Sequence, residues 1–272
     1  MKTLSKYAKS RGVIVFAFNT ATVDYVSIAV KAARLVKHTL GLPVTLVTDS
    51  SVDNLAFDTV QIVENTFDNN RIGYESGTKW RNGNRYSAYT LSPYDETILI
   101  DSDYLVLDRN LLKLFDCTTD YKIMYDNSFL NGSTTHKMGT MGLEFLWATV
   151  ILFKKTEHSE MLFDLVKRIQ NNYQHYCSLY HISAGNFRND YAFTIANHML
   201  NGYTKEEVHG IPWTMLTVES RINAIDLFNN SLILREEGKA TVIPKQNIHI
   251  IDKDYLSSNQ YANLVEKICH GS

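Results

Sequence analysis

Residues 13–18, Val-Ile-Val-Phe-Ala-Phe, are unbroken in apolar side chains, the pattern of a strand buried on both faces of a parallel sheet. Asn19 and Thr20 interrupt the run. From 22 to 40 the apolar positions Tyr25, Ile28, Ala29, Ala32, Leu35, Val36 and Leu40 recur with a helical period. Gly41 closes that helix and Pro43 prevents its continuation. A second strand at 44–48 ends on Asp49, so the chain opens with a strand–helix–strand crossover. A weak strand at 59–63 and a short helix at 85–91, stopped by Ser92-Pro93, come next. The buried strand at 97–100 then ends abruptly in Asp101-Ser102-Asp103. Further along, the pattern gives a short helix at 110–115, strands at 122–125 and 145–153, and helices at 159–170 and 191–200. Residues 126–144 are rich in Gly, Ser, Thr and Asn without a period, and read as a long functional loop, a mobile lid.

Strands alternating with helices imply an α/β fold built on a mainly parallel, doubly wound sheet. Ligands of such sheets sit beyond the carboxyl ends of the strands, where the strand order reverses. Asn19, Asp49 and the Asp101/Asp103 pair all fall at such ends. No repeat, low-complexity segment or linker divides the 272 residues, so the whole chain, 1–272, is expected to form one domain.

Composition narrows the field. A hydrophobic content of 44% excludes disorder. With 27 basic residues against 29 acidic ones, no bulk charge draws the protein to nucleic acid or to an anionic membrane, and only a local basic patch remains open. Cys117, Cys177 and Cys269 are too few and too scattered for a disulfide framework or a zinc knuckle, and read as buried or free thiols of a reducing cytosol. The apolar runs at 13–18 and 145–153 are too short to span a bilayer, so a soluble cytoplasmic protein without a membrane partner is expected.

Two carboxylates one residue apart at the end of a buried strand concentrate negative charge. A hard divalent cation, Mn²⁺ or Mg²⁺, would relieve it by binding carboxylate and phosphate oxygens together. Aspartates also cap turns, and the pair alone leaves both readings open. The apolar segments on either side, 97–100 and 104–107, shift the balance toward a metal.

At this point the residues resemble a known family. Residues 85–106, an arginine-bearing helix followed by a strand ending in Asp101-Ser-Asp103, are similar to the metal-binding segment of family 8 and related GT-A glycosyltransferases. Residues 13–25 resemble their first strand and uridine-binding loop. Phe145-Leu-Trp-Ala-Thr-Val-Ile-Leu-Phe153 is similar to a later strand, and Asn247-Ile-His-Ile-Ile-Asp-Lys253 to a C-terminal segment that completes the metal shell. The resemblance implies a single GT-A (Rossmann-like) domain with a mainly parallel twisted sheet flanked by helices. Its donor half would cover about 13–107 and its acceptor and catalytic half about 108–255.

The activity it implies is transfer of a sugar from a UDP-sugar, with Mn²⁺ or Mg²⁺ as cofactor. Asp101, Asp103 and His249 become metal ligands. Ala17, Asn19, Tyr25, Asp49, Ser102 and Lys253 become donor contacts, Lys253 at the diphosphate and Asn19 and Tyr25 at the base. Arg85 would grip phosphate or sugar, and Asp190 would serve the transferred sugar or act as a base. Each residue also has a plainer reading. His249 fits a core histidine, Arg85 and Lys253 surface charges, Asn19 a strand end, Tyr25 helix core and Asp190 a helix cap. Trp147 stands where the family has asparagine and Thr149 where it has glycine, which reshapes the expected sugar pocket.

Residues 11–50 further resemble tailed-bacteriophage proteins, some of which glycosylate hydroxymethylated or hydroxylated cytosine in DNA. That implies modified DNA as acceptor, with Arg71, Lys79, Trp80, Arg81, Arg85, His136 and Lys137 as a basic and aromatic set to meet it. The alternatives are a glycan, lipopolysaccharide or protein acceptor, or a nucleotide-sugar or carbohydrate-binding protein without turnover.

Overall fold

The computed structural model describes residues 9–64, 71–72, 79–80, 83–134, 137–138, 142–182, 186–203 and 209–271. Its central sheet has six strands in the order Thr59–Ile62, Val44–Thr48, Arg11–Phe16, Glu96–Ile100, Trp147–Lys154, Tyr121–Met124. The first four pair in parallel. Trp147–Lys154 runs antiparallel to both of its neighbours, and is the strand that opposes the rest. The expected mainly parallel sheet flanked by helices is thus the one observed.

The chain builds outward from Arg11–Phe16 in one direction, then returns to its other side with Glu96–Ile100. That reversal is the switch point. Register Val15↔Ile100 sets Asp101 level with Phe16, at the carboxyl ends of both strands.

The first crossover helix, Tyr25–Leu40, starts where the Asp24 side chain accepts the Ser27 N–H at 2.9 Å. It stops at Gly41, whose φ of 68° a residue with a Cβ adopts only under strain. Two faces of this helix serve two cores. Ala29, Ala33 and Val36 pack beneath the central sheet, while Ile28 and Leu35 join a second apolar cluster. That second cluster lies among a four-stranded sheet, a three-stranded meander (Ala224–Phe228, Ser231–Glu236, Lys239–Pro244) and the helices Lys253–Ser257 and Asn259–His270. The four-stranded sheet runs Tyr104–Leu105, Ile248–Ile250, Met215–Val218, Asn127–Phe129.

The structure corrects one expectation and refines another. The segment 126–144 is not one featureless loop. Asn127–Phe129 is an edge strand pairing in parallel with Met215–Val218, and Lys137–Met138 pairs with Leu143–Glu144. Residues 135–136 and 139–141 of the expected lid lie outside the described residues. The helix expected at 110–115 is a 3₁₀ helix, Asn110–Asp116. The second sheet, the meander and the C-terminal helices were not anticipated.

Among the described residues no helix is long and apolar enough to cross a membrane. All three cysteines are unpaired, Cys177 buried and the other two half-buried.

Packing against Arg11–Phe16 leaves no room at Gly12, where an added Cβ would lie 2.3 Å from the Tyr94 ring. Tyr94 is itself buried and its hydroxyl bonds Thr45 Oγ1 at 2.9 Å, so the ring has little freedom to retreat. Gly12→Ala is expected to cost about 1–3 kcal/mol of stability by overpacking. Urea unfolding measures it, and the cost of Gly12→Ala should be smaller in a Tyr94→Ala background than in the wild-type chain, where the ring is the obstacle.

Candidate active site

The turn after Glu96–Ile100 is held from both sides. The Asp101 N–H donates to Thr149 C=O at 3.0 Å, and Tyr104 N–H donates to Asp101 C=O at 3.1 Å, closing Asp101-Ser102-Asp103 into a tight bend. The strand Tyr104–Leu105 then pairs with Ile248–Ile250 in the register His249↔Tyr104, while Ile250 N–H donates to Asp103 C=O at 3.0 Å. This pairing carries a histidine from far along the chain to the aspartate pair. His249 Nε2 lies 3.5 Å from Asp103 Oδ1. Asp101, Asp103 and His249 each present a ligand atom within 4.8 Å of the others.

Two cations border the cluster. Lys253 opens the helix Lys253–Ser257, and its Nζ donates to Asp103 Oδ2 and to Ile251 C=O, the latter at 3.1 Å. Arg85 is only 3% exposed. It donates to Asp101 Oδ1 and, at 2.6 Å, to Ala148 C=O.

Burial pushes the Asp101 carboxyl up, partly opposed by Arg85 and reinforced by the neighbouring Asp103 charge. Burial acts on Asp103 in the same sense, but Lys253 and His249 outweigh it and hold that carboxyl well below the usual range. Burial also works against the Lys253 charge, and Asp103 overcomes it and holds the ammonium above its ordinary value.

Two carboxylates and an imidazole converging from three sides form a donor set that suits Mn²⁺ or Mg²⁺. Asp103 Oδ1 is buried and, among the described residues, makes no well-formed hydrogen bond beyond the 3.5 Å approach of His249 Nε2, as suits an oxygen available to a cation. The residues present therefore fit a divalent ion.

The cluster opens into a cavity of about 320 Å³. Phe16, Phe18, Tyr25, Trp147, Arg188 and Asp190 are among the residues that line it. Asp190 does not cap its helix. Its Oδ1 accepts Ala148 N–H at 2.9 Å and its Oδ2 lies 3.2 Å from Arg188. Trp147 meets Phe145 edge-on at 4.9 Å, and its indole N–H is buried without a partner among the described residues.

Of the residues singled out in the sequence, the cavity gathers Tyr25, Arg85, Asp101, Ser102, Asp103, Asp190, His249 and Lys253. Ala17, Asn19 and Asp49 do not line it. Ala17 is buried, and the Asn19 side chain accepts the Val26 N–H at 2.9 Å, so it steadies the start of the first helix. Phe16, Phe18 and Arg188 were missed as cavity residues. The spacing of Phe16 and Phe18 at the end of an apolar strand, which puts both on one face, was the available signal.

Three members of the basic and aromatic set lie on a short antiparallel strand pair, with Arg71 opposite Trp80 and Ile72 opposite Lys79. Arg81 and His136 lie outside the described residues, as do the side chains of Arg71, Lys79, Trp80 and Lys137.

No protein-family model matches the chain, and no curated protein matches it. Solved structures do. The galactosyltransferase LgtC, determined with donor and acceptor sugar analogues, aligns over 94% of this chain and 95% of its own, with a TM-score of 0.55 and 10% identity. The glycosyltransferase GlyE of Streptococcus pneumoniae TIGR4 aligns over 70% of this chain at a TM-score of 0.38 and 16% identity, and this chain spans 43% of its length. Mouse xyloside xylosyltransferase 1 aligns over 70% of this chain and 82% of its own, at 0.42 and 12%. The end-to-end match to LgtC identifies the architecture as that of the GT-A glycosyltransferases.

Proposed function

We propose that this protein is a metal-dependent glycosyltransferase that moves a sugar from a UDP-sugar to an acceptor hydroxyl. The observation that carries this reading is the cluster Asp101, Asp103 and His249, flanked by Lys253, at the switch point of a GT-A fold and facing a cavity. Asp101, Asp103 and His249 would hold Mn²⁺ or Mg²⁺. When bound, such a cation screens a diphosphate from the carboxylates and stabilises negative charge on a departing nucleoside diphosphate.

The chain's own groups supply the rest. Lys253 brings a second positive charge for the diphosphate. Tyr25, with Phe16 and Phe18, offers aromatic surface for a nucleobase. Asp190, held by Ala148 N–H and Arg188, would orient a sugar hydroxyl or take an acceptor proton. Trp147 and Thr149 give the sugar pocket a shape of its own.

A uridine donor predicts selective stabilisation. With Mn²⁺ present, UDP should raise the melting temperature more than GDP or CMP, since a ligand at a hundredfold excess over its Kd adds about 2.7 kcal/mol to the native state. Equal shifts for all three nucleotides would count against a uridine site.

For the acceptor we propose a hydroxylated or hydroxymethylated pyrimidine in DNA. The support is the resemblance of residues 11–50 to phage proteins, and the strand pair that sets Arg71 opposite Trp80 just ahead of Arg85. The deciding experiment incubates the protein and Mn²⁺ with labelled UDP-hexoses and UDP-pentoses. Its acceptors are hydroxymethylcytosine DNA, unmodified DNA of the same sequence and a glycan panel, all mass-analysed afterwards. Transfer to the modified DNA alone is expected. Transfer to glycans alone would reassign the acceptor, and no turnover of any donor would leave a binding protein.

A further inference from the structure

We infer that Thr217 and Asn127, neither of which lines the cavity, fix the tautomer of His249 so that its Nε2 lone pair faces the aspartates. The inference rests on the metal-dependent reading above for its purpose, though not for its geometry.

His249, Thr217 and Asn127 sit on three consecutive strands of the second sheet. Thr217 is paired with His249 in register, and the strand of Asn127 pairs on the other side of Met215–Val218. Thr217 and Asn127 are fully buried and His249 is 9% exposed. Thr217 Oγ1 lies 2.5 Å from Asn127 Oδ1 and 3.3 Å from His249 Nδ1.

A hydroxyl has one proton, and its direction decides the chain. A separation of 2.5 Å belongs to O–H···O bonds and is shorter than N–H···O bonds, whose usual length is about 2.9 Å. The Thr217 proton therefore points at the Asn127 carbonyl oxygen, and Thr217 turns a lone pair toward His249. Nδ1 must then carry the imidazole proton and donate it. A neutral imidazole has a single N–H, so Nε2, 3.5 Å from Asp103 Oδ1, keeps its lone pair.

Without the relay, the proton is better placed on Nε2, where the Asp103 carboxylate can accept it. A histidine bonded that way keeps its one lone pair on Nδ1, facing Thr217 and turned away from the aspartates. The relay thus turns a residue that would pair with Asp103 into one able to ligate beside it. Thr217 and Asn127 are positioning residues in this arrangement, acting only through His249.

Long-range ¹H–¹⁵N correlation spectra of the metal-free protein, at alkaline pH where imidazole is neutral, read the tautomer directly. Wild type should show the Nδ1–H form at His249. Thr217→Val, isosteric and β-branched, removes the acceptor and should shift the population to Nε2–H, while Thr217→Ser should restore Nδ1–H. Asn127→Ala tests the other end independently. Losing its carbonyl frees the Thr217 proton to donate to Nδ1, which also drives the imidazole proton to Nε2.

Mn²⁺ titration followed by electron paramagnetic resonance should show affinity weakened by about 10–100-fold in Thr217→Val and nearly unchanged in Thr217→Ser. An Nε2–H form in wild type, or Nδ1–H persisting in both Thr217→Val and Asn127→Ala, overturns the relay. A tautomer shift with unchanged Mn²⁺ affinity overturns its role in ligation. Wild type in the Nδ1–H form that binds no Mn²⁺ upholds the relay and overturns the metal-dependent reading instead.

Discussion

Asp103→Ala is expected to lower sugar transfer by about three orders of magnitude, the equivalent of the several kcal/mol that a cation contributes to a departing diphosphate. The fold should survive. The backbone contact that anchors this residue, Ile250 N–H to Asp103 C=O, does not involve the side chain, and among the described residues the carboxylate's ion-pair partners are Lys253 and His249. Lys253 retains Ile251 C=O at 3.1 Å as an acceptor and has solvent within reach. Circular dichroism should therefore report native secondary structure while labelled transfer falls and Mn²⁺ binding is lost. Asp101→Ala is the less clean experiment, because it also strips Arg85 of its carboxylate partner. Full transfer in EDTA, or in the variant lacking both aspartates, would defeat the metal-dependent reading.

Much of this arrangement is legible in the sequence because the central sheet advertises itself. Val13 to Phe18 and Ile98 to Ile100 are apolar without interruption, the composition that a strand buried on both faces favours. Asp101 and Asp103 stand out for the same reason, since charge at the end of such a run is costly. The second sheet is silent by comparison. Tyr104–Leu105, Asn127–Phe129 and Ile248–Ile250 are two or three residues long, too short for alternation to register.

His249 shows the consequence. The sequence left it balanced between core and metal, and only the pairing of Ile248–Ile250 with Tyr104–Leu105 sets it against Asp103. It is buried on its strand and it also faces the aspartate pair. The expectation of a loop without strands over 126–144 is corrected on the same ground, because Asn127 looks like a loop residue until Met215–Val218 supplies its partner. Asn19 was placed at the nucleobase by motif position alone. A side-chain amide just ahead of a helix has nearer work, and here it accepts Val26 N–H.

Arg85 is where structure changes the reading most, and where the second large effect is expected. Sequence resemblance placed its guanidinium on phosphate or sugar. In the structure it is 3% exposed and bridges Asp101 to Ala148 C=O, joining the end of Glu96–Ile100 to the start of Trp147–Lys154. Removing one partner of a buried pair leaves the other unneutralised and costs about 3–5 kcal/mol. Asp101 keeps 31% side-chain exposure, which puts Arg85→Ala at the lower end, near 3 kcal/mol. Melting should fall by roughly 6–12 °C for a chain of this size. Lysine is a point charge without the planar fork, so Arg85→Lys can satisfy one acceptor but not both, and should lie between the two. Turnover should drop in each variant, since an unrestrained Asp101 no longer holds its place beside Asp103 and His249. Comparing melting temperature with UDP affinity separates the two roles. A bridge predicts that stability falls first and UDP binding only as the aspartates shift. A guanidinium whose main task is to grip the donor predicts unchanged melting in Arg85→Ala with UDP binding lost, and that result would restore the reading made from sequence.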